Sequence, residues 1–431
     1  MRSTHFAFAM ALMATAVTLA QTADQKATIQ QIRELGKHDN SVLPALTAYL
    51  SNGDPEIRLE AVKAIVKIGS MRSLDPLVKA THDSDSEIQI RAIDGIVNAY
   101  DPGYVAGGSL TGVLTKGIRQ VKLIFSQRND QVVDPDVKIR PDVADAIADR
   151  ISNGSNVDVK SNAALAAGIL RDNAAVPALE QALHAKDSDL IFECLIALQK
   201  IKDPSTGASV QFLARDLDDR VQSTALETLG VLRSASSAPD IRGAFKNARN
   251  VRIQRAAMEA LAMLGLPDDR PLFQQYASTQ DAELRAAALE GLGRIREPED
   301  TPKLQSAFNE ANADWRVHMA AAFALVSEGS VSTEVLSPLS YLVEGLGLKA
   351  RANVATAYLT ELARRQDVRD ALAKIMPDAM KDQKIAVLNV LGSTGSPDAA
   401  KTIESYTSDR DRDVAYAASR ALRMSRFSRN L

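Results

Sequence analysis

Asp281–Arg296 reads DAELRAAALEGLGRIR. Asp281 is a strong N-cap candidate, because its carboxylate accepts hydrogen bonds from the free amides of a first helical turn. Leu284, Ala288, Leu292 and Ile295 fall at i, i+4, i+8 and i+11, which is one face of an α-helix. Ala286, Ala287 and Ala288 keep that helix slim enough for close neighbours. Arg294 and Arg296 stand at its C-terminal end, where positive charge complements the macrodipole. One such helix cannot bury its stripe alone, so the pattern has to recur.

It recurs at Asp54–Gly69, Asp85–Tyr100, Asn156–Arg171, Asp187–Lys202, Asp218–Arg233, Asn250–Gly265, Asp314–Gly329 and Asp411–Met424. Every copy opens with Asp or Asn. Three residues later comes an apolar residue, as in Ile57, Ile88, Val159, Leu190, Val221, Ile253, Val317 and Val414. Four further on comes a small one in most copies: Ala61, Ala163, Cys194, Ala225, Ala257, Ala321 and Ala418, with Ile93 next to Ala92 in the second. Successive openings at 187, 218, 250, 281 and 314 stand 31 to 33 residues apart. A shorter segment with an early proline precedes most copies, marked by Pro44, Pro76, Pro177, Pro239, Pro271, Pro302, Pro338 and Pro397. Proline suits a first helical turn, where its missing N–H would be unpaired anyway. Each unit therefore reads as short helix, turn and Asp-capped longer helix. A fixed period with two helices per unit predicts an all-α, right-handed α-α superhelix of about ten helical pairs with one insertion.

The run Asp-Pro/Ser-x-Ile/Val-Arg/Gln-x-x-Ala resembles a HEAT-like repeat, of the short type found in phycobilin lyases. The resemblance extends from about Leu43 to Met424. It implies a HEAT/armadillo-like solenoid. The chain also resembles exported bacterial HEAT-repeat proteins with no assigned reaction. Such solenoids are surfaces that many activities share, so the fold alone does not fix the function.

The chain has 431 residues, 45% hydrophobic but only 4% aromatic, which suits helix packing by Ala, Leu and Val better than an aromatic-lined pocket. Met1–Ala20 carries Arg2 before the apolar run Phe6–Ala16 and ends in small residues. This pattern predicts a secretory signal cleaved after Ala20 and a periplasmic or secreted product. No cysteine follows that point until Cys194, the only one in the chain, so an intramolecular disulfide and a Cys-rich zinc site are excluded. The formal charge of −3 argues against general nucleic-acid affinity.

The predicted organisation is a signal at 1–20, N-terminal repeats at 21–100, an insertion at 101–142, regular repeats at 143–329, and degenerate repeats with a C-terminal cap at 330–431. The insertion is where the register breaks: 71 residues separate Asp85 from Asn156. Within it, Ser109–Arg128 places Leu110, Val113, Leu114, Ile118, Val121, Ile124 and Phe125 on one helical face. Lys116, Arg119, Lys122 and Arg128 supply positive charge, with no acid between Pro102 and Asn129. This predicts an amphipathic helix that contacts a partner or an anionic membrane surface. The competing expectation is a helix folded back onto its own solenoid.

No catalytic signature stands out. None of His5, His38, His82, His184 and His318 is followed by Glu, whereas HEAT-like di-iron hydroxylases carry His-Glu pairs. There is no nucleophile elbow, P-loop or dinucleotide fingerprint. Trp315 directly follows the cap Asp314, which favours repeat packing over the basic, aromatic face of HEAT-like DNA glycosylases. One further surface feature is periodic: Glu227, Glu259 and Glu290 each lie nine residues after a cap. Stacked repeats would align them as an acidic row, against the simpler expectation of an ordinary solvated position. The reading that follows is a non-enzymatic interaction scaffold of the cell envelope, with no cofactor and a protein or peptide partner. The alternative is an enzyme or chromophore-handling protein, by analogy with the phycobilin lyases.

Overall fold

The computed structural model describes residues 24–105 and 131–428. Helix α1 spans residues 24–35. Short and long helices then alternate: α2 (Leu43–Tyr49) with α3 (Pro55–Ile68), α4 (Leu74–Ala80) with α5 (Ser86–Tyr100), α6 (Pro141–Asn153) with α7 (Val157–Leu170), and α8 (Val176–Ala182) with α9 (Ser188–Ile201). The series continues with α10 (Gly207–Val210) and α11 (Asp219–Val231), α12 (Ala238–Lys246) and α13 (Val251–Leu264), α14 (Arg270–Tyr276) and α15 (Ala282–Ile295), and α16 (Thr301–Asn309) and α17 (Trp315–Ser327). Three less regular pairs close it: α18 (Pro338–Leu346) with α19 (Ala352–Leu362), α20 (Gln366–Ile375) with α21 (Lys381–Ser393), and α22 (Pro397–Ser405) with α23 (Arg412–Ser428). No strand occurs among the described residues.

The caps explain where the long helices begin. Asp281 accepts from the amides of Glu283 and Leu284 at 3.1 and 3.0 Å. Asp54, Asp85, Asn156, Asp187, Asp218, Asn250, Asp314 and Asp411 make equivalent bonds to amides two or three residues on. The residue three after each cap is buried, and every small-position residue from Ala61 to Ala418, Cys194 included, has no exposed surface. Burial pushes the Cys194 thiol up, out of the reactive range. Six of the long helices also end alike. Fifteen residues after the cap stand Gly69, Arg171, Lys202, Arg233, Gly265 and Arg296, with φ of 60, 52, 61, 51, 59 and 63°. This left-handed residue costs nothing for glycine and on the order of 1 kcal/mol for the others.

Long helices stack on long helices, α11 on α13, α13 on α15 and α15 on α17, while the short helices α12, α14 and α16 pack on their own long partners. The stacking is close. A Cβ at Gly293 of α15 would lie 2.4 Å from both Cα and Cβ of Ala324 in α17. The register break resolves simply: α5 packs directly on α7, and Ser155 Oγ donates to Gln89 at 2.9 Å, so one repeat spacing absorbs the whole interval.

Among the described residues the helices form two compact units. One takes the residues up to Val133 together with Ile139–Ile201, the other Asp134–Lys138 with those from Lys202 on. The sequence reads as a single array, and the division falls where the short helix α10 shrinks to the single turn Gly207–Val210. In the second unit, the basic Arg420 and Arg423 of α23 ion-pair with Asp134 and Asp136.

Candidate functional site

The site is a row across the stacked long helices of the second unit. Counting nine residues from each cap places Glu227 on α11, Glu259 on α13, Glu290 on α15 and Phe323 on α17. Four successive long helices thus carry Glu, Glu, Glu and Phe at one register position.

Glu290 is fully engaged. Arg294, one turn on, donates to its Oε1, and the Tyr358 hydroxyl of α19 donates to Oε2 at 2.6 Å. Arg294 also forks onto Glu361 of α19, with Nε and Nη2 at 3.2 and 2.9 Å, and donates to the Ala262 carbonyl at 3.2 Å. Its guanidinium lies 4.8 Å over the Phe323 ring, which in turn stacks on Tyr358 at 4.5 Å. The guanidinium is therefore desolvated but fully paired, and those carboxylates keep it charged. Arg233, just beyond α11, reaches the same Glu361 at 2.9 Å. Residues from α11 and α19 meet although α13, α15 and α17 lie between them in the stack. The long-helix layer is curled tightly enough to bring them together.

Glu227 and Glu259 differ from Glu290. Among the described residues neither carboxylate has a hydrogen bond or an ion pair. Burial raises the Glu227 carboxyl, with Arg252 pulling the other way. Burial first, then the Glu227, Glu290 and Glu283 charges, push Glu259 up to about 8. Both side chains keep some contact with water, yet they sit in a recess dense with protein. The expectation of an ordinary solvated position does not hold for them. Glu361 shows the opposite balance: burial raises it, but Arg294 and Arg233 outweigh burial and hold it below the usual carboxylate range.

The acidic row is thus brought together, while Lys116, Arg119, Lys122, Ile124, Phe125 and Arg128 lie outside the described residues. Sequence reasoning missed Arg233, Tyr358 and Glu361. It could have found Phe323, which carries the same count from its cap. It also missed an open groove of about 610 Å³ in the second unit, lined by Arg296, Thr301, Phe308, Glu328, Leu336 and Pro338. Trp315 packs partly buried against the core, with the Arg316 guanidinium 4.7 Å from its ring. Among the described residues no cluster of three or more His, Cys, Asp or Glu is arranged to hold a metal, and no helix is long and apolar enough to cross a membrane.

Comparison with known proteins agrees with this architecture. No curated protein matches the chain in sequence. Among solved structures, yeast importin-beta is 12% identical with a TM-score of 0.53, covering 91% of this chain and 57% of its own length. That likeness is one of fold. Human deoxyhypusine hydroxylase in complex with glycerol is 19% identical over 58% of this chain and 95% of its own, with a TM-score of 0.28. The complex of CpcE and CpcF of phycocyanin lyase from Nostoc is 18% identical over 67% and 94%, with a TM-score of 0.37. The sequence model for HEAT repeats matches residues 13–96, 144–229, 206–279, 245–326 and 270–363. With its caps, its stacked long helices and more than half of its length matched by that model, the chain belongs to the HEAT-repeat family.

Proposed function

We propose that this chain is a non-enzymatic scaffold of the cell envelope that holds a cationic segment of a partner protein on the acidic row, at Glu227 and Glu259 beside the internally paired Glu290. The observation that carries this reading is the pair Glu227 and Glu259: two recessed carboxylates, in register on adjacent long helices, without a protein partner. Uncompensated charge in such a recess is costly, and a lysine or arginine from outside would relieve it. Stacked helical repeats offer the extended surface such a segment needs.

The proposal has a defined pH dependence. Glu259 must be ionised to bind a cation, and its carboxyl is pushed up to about 8. Lysine stays charged until about pH 10.4. Affinity for a short oligolysine peptide should therefore rise between about pH 6 and about pH 9, with proton release on binding. Glu259→Gln should weaken binding at about pH 9 on the order of tenfold and flatten the profile. Fluorescence anisotropy with a labelled peptide measures both. A profile that falls over this range, or a Glu259→Gln variant that binds like the parent, would refute the site.

Two further parts of the proposal lie outside the described residues. Export predicts that protein from an envelope fraction begins at Gln21, and an intact Met1 in the cytoplasm would contradict it. The basic insert is proposed to contact anionic surfaces. Replacing Lys116, Arg119 and Lys122 by Gln should leave the melting temperature almost unchanged but weaken sedimentation with anionic vesicles, and added salt should mimic the loss. Unchanged vesicle binding would leave the insert without that role.

A further inference from the structure

Glu361 is held by two arginines of different kinds. Arg294 is 10% exposed and bound on several sides, to Glu290, Glu361 and the Ala262 carbonyl. Arg233 is 48% exposed, and among the described residues the partner of its guanidinium is Glu361 alone. Half-exposed ion pairs contribute little to stability and exchange readily with solvent ions. Arg233 also stands at a position where glycine serves elsewhere, at Gly69 and Gly265, with the same left-handed backbone. The helix end does not require an arginine there. What the arginine adds is its contact with α19, across the layer that carries Glu227 and Glu259.

We propose that Arg233 is an internal stand-in for a cationic side chain of the partner, closing α11 onto α19 in the free protein and yielding Glu361 when the partner binds. This rests on the reading of the acidic row given above and adds its regulation. The face then offers three acceptors in all: Glu227 and Glu259, which have no protein partner, and Glu361, whose outer partner is exchangeable. An incoming cationic segment replaces Arg233 at Glu361, and its neighbouring charges settle Glu227 and Glu259. Arg294 stays in place throughout, because removing it would strand two carboxylates. Until displacement occurs, Arg233 competes with the partner and repels it.

The test is Arg233→Gly, which installs the residue that ends α3 and α13 and so keeps the helix terminus intact. Arg296→Gly is the control: the same register position, the same change of charge, and a side chain that lines the separate groove. With a labelled short oligolysine peptide at about pH 9, Arg233→Gly should bind about fivefold tighter than the parent, and Arg296→Gly like the parent. An equal gain in both variants would reduce the effect to net charge and overturn the inference. So would parental or weaker affinity in Arg233→Gly while Glu259→Gln still lowers binding, an outcome that leaves the acidic row standing. If none of these proteins, the parent included, binds the peptide, the reading of the row fails and the inference falls with it.

Discussion

Ala288→Asp should all but abolish folding of the second unit. Ala288 has no exposed surface and lies in α15, which packs between α13 and α17. The added carboxylate would enter a position with no exposed surface, shut off from water. The effective penalty for such a charge is several kcal/mol, against a typical total stability of about 5–15 kcal/mol for a domain. The packing of the next repeats depends on the same helix, so the damage should spread along the stack. Urea unfolding followed by circular dichroism should show a collapsed or missing transition for these repeats. Glu283→Ala, which removes only a half-exposed ion pair with Arg255 in the first turn of the same helix, should shift the midpoint little. If Ala288→Asp unfolds like the parent, the repeat register is wrong.

Arg294→Met should cost about 3 kcal/mol, since removing one member of a buried ionic network leaves the others stranded. Methionine keeps the packing over Phe323 but loses the bonds to Glu290 and Glu361. Glu290 retains the Tyr358 hydroxyl and Glu361 retains Arg233, which keeps the loss at the lower end of the usual range. The sign of the pH effect follows from Glu361. Its folded carboxyl is held below the ordinary range, so its ion pair stabilises the protein above an unfolded value of about 4.3 and is lost as pH falls through the lower folded value. The gap between parent and variant should be full at neutral pH and narrow below about pH 4. A gap that widens on acidification would contradict the assignment.

The fold was legible because its determinants are local. A cap at Asp281 bonds amides two and three residues away, and the alanine seven residues after a cap is fully buried, so counting from each cap recovers both. The acidic row was legible by the same count. Its chemistry was not. The difference between paired Glu290 and unpaired Glu259 depends on Tyr358 and Glu361, and these lie in α19, whose N-cap Arg351 makes no side-chain capping bond. Without a cap there is no register to count from. The meeting of Arg233 with Glu361 depends on curvature summed over several repeats, which no local pattern records.

Native-state hydrogen exchange of the full chain, with and without saturating oligolysine at about pH 9, shows directly whether the acidic row binds a cationic segment. Bound peptide should slow exchange on the long helices α11, α13, α15 and α19, around Glu227, Glu259, Glu290 and Glu361, and leave the short helices α12, α14 and α16 unchanged. Protection on those short helices or around the Arg296–Pro338 groove, with the four long helices unaffected, would contradict it.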